Sequence, residues 1–237
     1  MPLKPNEVFT PAGALSPGMF ATRAHHTLEQ TLIDALGESG RQIALHGWTG
    51  VGKTSLLDHV CETQGIDYIQ VECAGTYEEV MHGALSVLDA RVSTGITETT
   101  ERDAEVRGGA VPFFGGKIRR SGSSQEYYER YNAPIETVVV DALVDAGVRV
   151  LFLDNLEDLA GGEDERKGIG RLIKKCSGRS RELGWEAPKV VLAGPTVMVD
   201  ELLLLDDAVN RRTMKIEVPR MPAEEIRQIL FMGEGKL

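Results

Sequence analysis

Apolar and polar positions along the chain fall into short segments of two alternating kinds. Residues 41–46, 148–153 and 189–193 are near-continuous apolar runs, the pattern of strands buried on both faces. Residues 67–73 alternate instead, with Tyr68, Ile69, Val71 and Cys73 among polar neighbours, and predict a second strand in chain order. Residues 212–218, ended by Pro219, predict a fifth. Between these lie stripes at helical spacing. They comprise Leu28, Leu32, Ala35 and Leu36 closed by Gly37; Leu56, Leu57, Val60 and Cys61 closed by Gly65; Val80, Ala84, Val87 and Leu88 behind a capping Thr76; and Ile135, Val138, Val139, Ala142, Leu143 and Ala146 closed by Gly147. Further stripes are Ile169, Leu172, Ile173 and Cys176; the apolar run 197–205; and Ile226, Ile229 and Leu230 behind Pro222. Strands alternating with helices predict an α/β fold with a parallel sheet covered on both faces.

Two segments depart from this rhythm. Residues 1–20 carry Pro2, Pro5, Pro11, Gly13, Pro17 and Gly18 and read as loop, so that 1–38 is a linker plus the first helix. Residues 93–134 lose periodicity, hold Gly-Gly and Gly-Ser clusters and Tyr127, Tyr128 and Tyr131, and read as an insertion, with a candidate hairpin over 111–119. We expect this insertion to project from the core and serve an unknown protein partner. The whole, 1–237, reads as one domain.

Composition narrows the class. The chain has 237 residues, 42% hydrophobic and 26% charged, within the range of a globular protein. A net charge of -10 disfavours a protein coated in nucleic acid. Cys61, Cys73 and Cys176 are far apart, each in an apolar segment, which predicts buried reduced thiols and no metal site. No apolar run approaches the ~18 residues of a membrane span, and residues 1–11 lack a signal pattern, so a cytoplasmic setting is expected.

The candidate chemistry is at Gly47-Trp48-Thr49-Gly50-Val51-Gly52-Lys53-Thr54, which fits G-x-x-x-x-G-K-[ST] between a predicted strand and a predicted helix. Glycines let successive N–H groups turn toward a phosphate, and the following helix, with Ser55 in its first turn, adds its positive end. Lys53 can bridge the β- and γ-phosphates of ATP, and the Thr54 hydroxyl can ligate Mg²⁺. Asp154 ends a strand about a hundred residues later, where an acidic residue can hold the same ion. The next residue is Asn155, where many hydrolysing ATPases carry Glu. An amide can orient a water but cannot accept its proton, so hydrolysis is expected to be slow. Glu157 and Asp158 are nearby but displaced along the chain.

Gly47 to Thr54 and Leu151-Phe152-Leu153-Asp154 resemble the Walker A and Walker B motifs of AAA+ ATPases and their signal-transducing STAND relatives. Phe20-Ala21-Thr22-Arg23 is similar to the Phe-x-Gly-Arg motif flanking the adenine, with Thr22 in place of Gly. Residues 190–196 resemble the sensor-1 strand, with Thr196 its polar sensor. Asn210-Arg211-Arg212 resembles the segment supplying an arginine finger. The resemblance implies a three-layer α/β/α P-loop NTPase fold with sheet order 5-1-4-3-2. It also implies ATP/ADP binding with Mg²⁺ and an ATP-dependent homo-oligomer in which Arg212 serves a neighbour. The helical lid of these families is not found before residue 237. The chain also looks like bacterial AAA-type ATPases of the origin-recognition-like kind, with signalling or phage defence as a setting. The expected function is a nucleotide-dependent conformational or assembly switch. Alternatives are a nucleic-acid-loading ATPase, using the basic row Arg166, Lys167, Arg171, Lys174, Lys175, Arg179 and Arg181, and a P-loop phosphotransferase. A GTPase is disfavoured, since the Asn/Thr-Lys-x-Asp guanine motif is absent.

Overall fold

The computed structural model describes residue 20, residues 27–98 and residues 133–235. The Arg23 position, the candidate hairpin over 111–119 and the tyrosine cluster lie outside the described residues. Strands β1 (Gln42–His46), β2 (Tyr68–Glu72), β3 (Val150–Asp154), β4 (Lys189–Gly194) and β5 (Thr213–Glu217) form one parallel sheet in the order β2-β3-β4-β1-β5. That is the expected order read from the other edge. The three continuous apolar runs became the three inner strands, buried at every position. The alternating segment became edge strand β2, whose Tyr68 and Gln70 are only half-buried.

Side chains leave each strand on opposite faces in turn, which divides the core in two. Ile43, Leu45 and Phe152 meet Leu32 and Leu36 of helix α1 (Leu28–Gly37) and Leu56, Leu57 and Val60 of α2 (Lys53–Gln64). Ala44, Leu151 and Leu192 meet the other layer. It comprises α3 (Tyr77–Glu98), α4 (Ile135–Asp145), α5 (Glu163–Leu183), α6 (Thr196–Leu204) and α7 (Asp207–Arg212). Helix α8 (Ala223–Glu234) follows β5. All three cysteines are buried and unbridged, and burial pushes each thiol up to about 12.

Two boundaries differ from expectation. Helix α3 runs on to Glu98, so the first residues of the 93–134 segment are helical. Its start is a reciprocal cap: the Glu79 N–H donates to Thr76 Oγ1 (3.3 Å), and the Thr76 N–H donates to Glu79 Oε2 (2.9 Å). Helix α7 was not foreseen, and Arg212 ends it instead of opening β5. Tyr77 lies flat against Gly168 of α5. A Cβ there would meet the ring Cγ at 2.5 Å, so α3 and α5 pack at a distance only glycine allows.

Five of the seven basic residues in the α5 row are charge-paired. Arg166 faces Glu201, Lys167 faces Glu163, Arg171 faces Glu136, Lys174 faces Asp206, and Arg179 faces Asp141 and Glu182. At the amino-terminal end of the sheet, buried Lys189 donates from Nζ to the carbonyls of Glu38 and Arg41. Beside it the Gln42 side chain donates to Ser177 Oγ (3.3 Å) and accepts from the Val190 N–H (2.6 Å). These bonds close that end of the sheet. Among the described residues no helix is long and apolar enough to cross a membrane.

Candidate nucleotide site

In a parallel sheet with helices on both faces, the crevice for a ligand lies beyond the carboxyl ends of the strands. The chain leaves β1 there through Gly47, whose φ is 149°. A Cβ on Gly47 would stand 2.4 Å from the Val218 carbonyl oxygen, and the Val218 N–H donates to the His46 carbonyl at 2.8 Å. The loop is thus pinned where the backbone leaving β5 passes it. Gly50 and Gly52 are left-handed, at φ 76° and 88°. Gly52 caps α2 with no side-chain bond, and the first turn holds no acidic residue. The Leu56 N–H makes the first bond back to Gly52 (3.0 Å), so the N–H groups ahead of it point out of the helix end. This is a cradle for an anion.

Lys53 is 9% exposed. Its Nζ donates to the carbonyls of Gly47 (3.3 Å) and Trp48 (3.0 Å). Burial lowers its pKa, against the opposing pull of the Glu157 and Asp154 charges. A phosphate in the cradle would offer this ammonium a stronger acceptor than the carbonyls it now uses.

Asp154 is the fixed point opposite. Its Oδ2 accepts from Thr54 Oγ1 at 2.7 Å and from Gln70 Nε2 at 3.1 Å, and its Oδ1 accepts from the Asn155 N–H at 2.9 Å. A hydroxyl and a carboxylate in contact are a hard-oxygen pair of the sort Mg²⁺ takes beside phosphate and water. Among the described residues no group of three or more His, Cys, Asp or Glu is gathered for a metal. The Thr54–Asp154 pair is the observation that fits Mg²⁺, whose other ligands would be phosphate and water.

Asn155 is left-handed (φ 55°, ψ 54°) and turns the chain into a 3-10 segment, Leu156–Asp158. Thr196 opens α6, and its Oγ1 lies 3.1 Å from Nδ1 of His46, the residue before the loop. Burial and the Lys215 charge lower the His46 pKa, partly offset by Glu217 and Asp200, so the ring is neutral at pH 7. Trp48 is 69% exposed, with the Arg220 guanidinium 4.5 Å from its ring centroid. Phe20 stacks on His59 of α2, centroids 3.9 Å apart.

The fold therefore gathers Lys53, Thr54, Asp154 and Asn155 with the loop 47–52, and sets Thr196 at its edge through His46. It does not bring Arg212. That guanidinium donates to the Ala208 carbonyl (2.8 Å), and the next residue, Thr213, pairs with Gln42 at the opposite end of β1. Roughly 13 Å of strand, at about 3.3 Å per residue, separates it from the loop. Asp206, just ahead of it, caps α7 and binds Lys174. Sequence reasoning missed Gln70, His46 and Arg220 and set Glu157 aside. Gln70 had one signal, an amide in a strand whose neighbours are apolar, but its aim at Asp154 follows from β2 lying beside β3.

The family model described as "ATPase family associated with various cellular activities (AAA)" matches residues 43–220. Among solved structures, Cdc6p from Pyrobaculum aerophilum matches with a TM-score of 0.53 at 16% identity, covering 97% of this chain and 53% of that one. The ORC1 protein of Aeropyrum pernix, in complex with DNA, matches with a TM-score of 0.53 at 18% identity, covering 94% and 52%. At these identities the likeness is one of fold. The chain spans about half the length of these structures. No curated protein matches it significantly.

Proposed function

Because the chain belongs to the AAA family of ATPases, we propose that it works as a nucleotide-dependent conformational or assembly switch with slow ATP hydrolysis. The observation that carries this reading is the 2.7 Å contact between Thr54 and Asp154, which joins the loop helix to β3 at the place where a Mg-bound γ-phosphate would sit. A Mg-bound γ-phosphate there would add bonds that tie α2 to the inner strand β3, and its loss would remove them. In this reading the backbone from Gly47 to Ser55 cradles the phosphates, Lys53 binds the β- and γ-oxygens, and Thr54 and Asp154 hold Mg²⁺. When bound, that ion neutralises phosphate charge. Phe20 and Arg23 flank the adenine. Asn155 orients water without taking its proton, and Thr196, through His46, reports on the loop. The 93–134 segment serves a protein partner. A bacterial signalling or defence system is the setting we propose.

The test is titration of wild-type and Lys53→Ala protein with a fluorescent ATP analogue plus Mg²⁺. Loss of two charge-assisted bonds, about 1.5–3 kcal/mol each, should weaken binding by roughly 10²-fold or more. Equal affinities would overturn the reading. Arg212, far from its own subunit's loop, is proposed to act on a neighbour's nucleotide. Arg212→Ala should lower turnover with affinity unchanged, and mixing it with Lys53→Ala protein should restore part of the activity. Turnover independent of concentration, without rescue, would make Arg212 structural.

Loading onto nucleic acid is the second reading, supported by the DNA-bound ORC1 structure of similar fold. Against it are the ion pairs that engage five of the seven basic residues in the α5 row and the net charge of -10. Salt-dependent binding of duplex DNA would favour it.

A further inference from the structure

We infer that Glu157 is the general base for ATP hydrolysis, reaching the attacking water from three residues beyond Asp154 across a gap left by Gly194. This inference rests on the ATPase reading above. A base for this step needs a free lone pair at the phosphate end of the cleft, which an unpaired carboxylate supplies. Asn155 carries no such group. Asp154 is committed, since three donors hold its two oxygens.

Glu157 is delivered by the turn. Left-handed Asn155 reverses the chain, the Asp158 N–H closes the segment onto the Asn155 carbonyl (2.9 Å), and buried Leu156 anchors it. The segment then lies over the end of β4. A Cβ at Gly194 would stand 2.9 Å from Leu156 Cβ and 3.5 Å from Glu157 Oε2. Gly194 is the last residue of β4 and pairs in register with His46, the residue before the loop. The carboxylate therefore hangs over the end of β4, between β3 and β1, beside the strand that leads into the loop. Its oxygens make no hydrogen bond or ion pair among the described residues, and the side chain is open to solvent.

In the step proposed, the Glu157 carboxylate takes one proton from water as the water oxygen bonds to the γ-phosphorus. The bond from that phosphorus to the β–γ bridging oxygen breaks, and its electron pair leaves on ADP. Inorganic phosphate is the second product, and Glu157 returns its proton to solvent.

The experiment measures ATP turnover and binding of a fluorescent ATP analogue for wild type, Glu157→Gln and Glu157→Asp, with Lys53→Ala as the binding control. Loss of a general base costs about 10²–10⁴-fold in rate. Glu157→Gln should lower kcat on that scale with affinity within a few-fold of wild type, and Glu157→Asp should recover part of the rate. If Glu157 merely tuned the field at Lys53, affinity and KM would move and kcat would not; that result overturns the inference. So does unchanged turnover in Glu157→Gln, and so does a wild-type protein that binds nucleotide without turning it over. Failure of wild type to bind nucleotide removes the ATPase reading itself. Gly194→Ala, which crowds the same carboxylate without altering its charge, should lower kcat in the same direction.

Discussion

Asp58 sits on α2, the helix that carries the phosphate loop, and its Oδ1 accepts a hydrogen bond from Tyr68 OH on β2 at 2.9 Å. Burial pushes its pKa up from 3.8 to about 6; the Tyr68 bond pulls it down, and the charges of Glu62 and Asp154 add to the rise. Burial and Asp58 itself raise the Tyr68 pKa, so the phenol remains the donor. A carboxyl whose folded pKa exceeds its unfolded value stabilises the fold below the unfolded pKa. That contribution is lost as pH rises through the folded value, here from pH 4 to 6. A rise of about two units at 1.36 kcal/mol each gives a cost near 3 kcal/mol at neutral pH. Asp58→Asn keeps an acceptor for Tyr68 and removes the charge, but leaves a half-buried amide N–H₂ to satisfy, at about 1–3 kcal/mol. The variant should therefore match or exceed wild-type stability at pH 7.5, fall below it at pH 4, and show a difference that grows by roughly 2–3 kcal/mol between. Urea unfolding at pH 4, 5, 6 and 7.5 measures this. A wild-type-to-variant difference that stays constant across that range would refute the reasoning, and nucleotide affinity should not change.

Lys189 is the opposite case: burial lowers its pKa to about 8, against the Glu38 charge, with Arg149 adding to the fall. Its contribution to stability is present above about pH 10.5 and lost as pH falls through about 8, so wild type should gain on Lys189→Met between pH 8 and 10, by up to ~3 kcal/mol in urea midpoints. Gly168→Ala places a Cβ against the Tyr77 ring. It should cost about 1–3 kcal/mol by overpacking, and less than that when combined with Tyr77→Ala, as read by thermal unfolding. Exposed Trp48 on the loop should change its fluorescence on adding Mg-ATP in a Trp185→Phe background, and not when Lys53→Ala is added; an identical response in both would detach Trp48 from the phosphate site.

Element order and the loop were legible in the sequence because both are local. Continuous apolar runs mark the inner strands β1, β3 and β4, and alternation marks edge strand β2, since burial on one or two faces acts on consecutive residues. The spacing from Gly47 to Thr54 carries its own chemistry, for glycine positions and a following helix end suffice to make an anion cradle. Helix α7 escaped because six residues are too few to establish a helical period. The rest depended on which strands became neighbours. Gln70 reaches Asp154 because β2 lies beside β3, and Glu157 hangs over Gly194 because β4 separates β3 from β1. Arg212 falls at the far end of the sheet because β5 runs parallel to β1 and begins where β1 begins. Local pattern records how a residue is buried along its own segment. Strand order and register are settled by packing between segments distant in the chain, and they determined which carboxylate, amide and guanidinium share the cleft with Lys53.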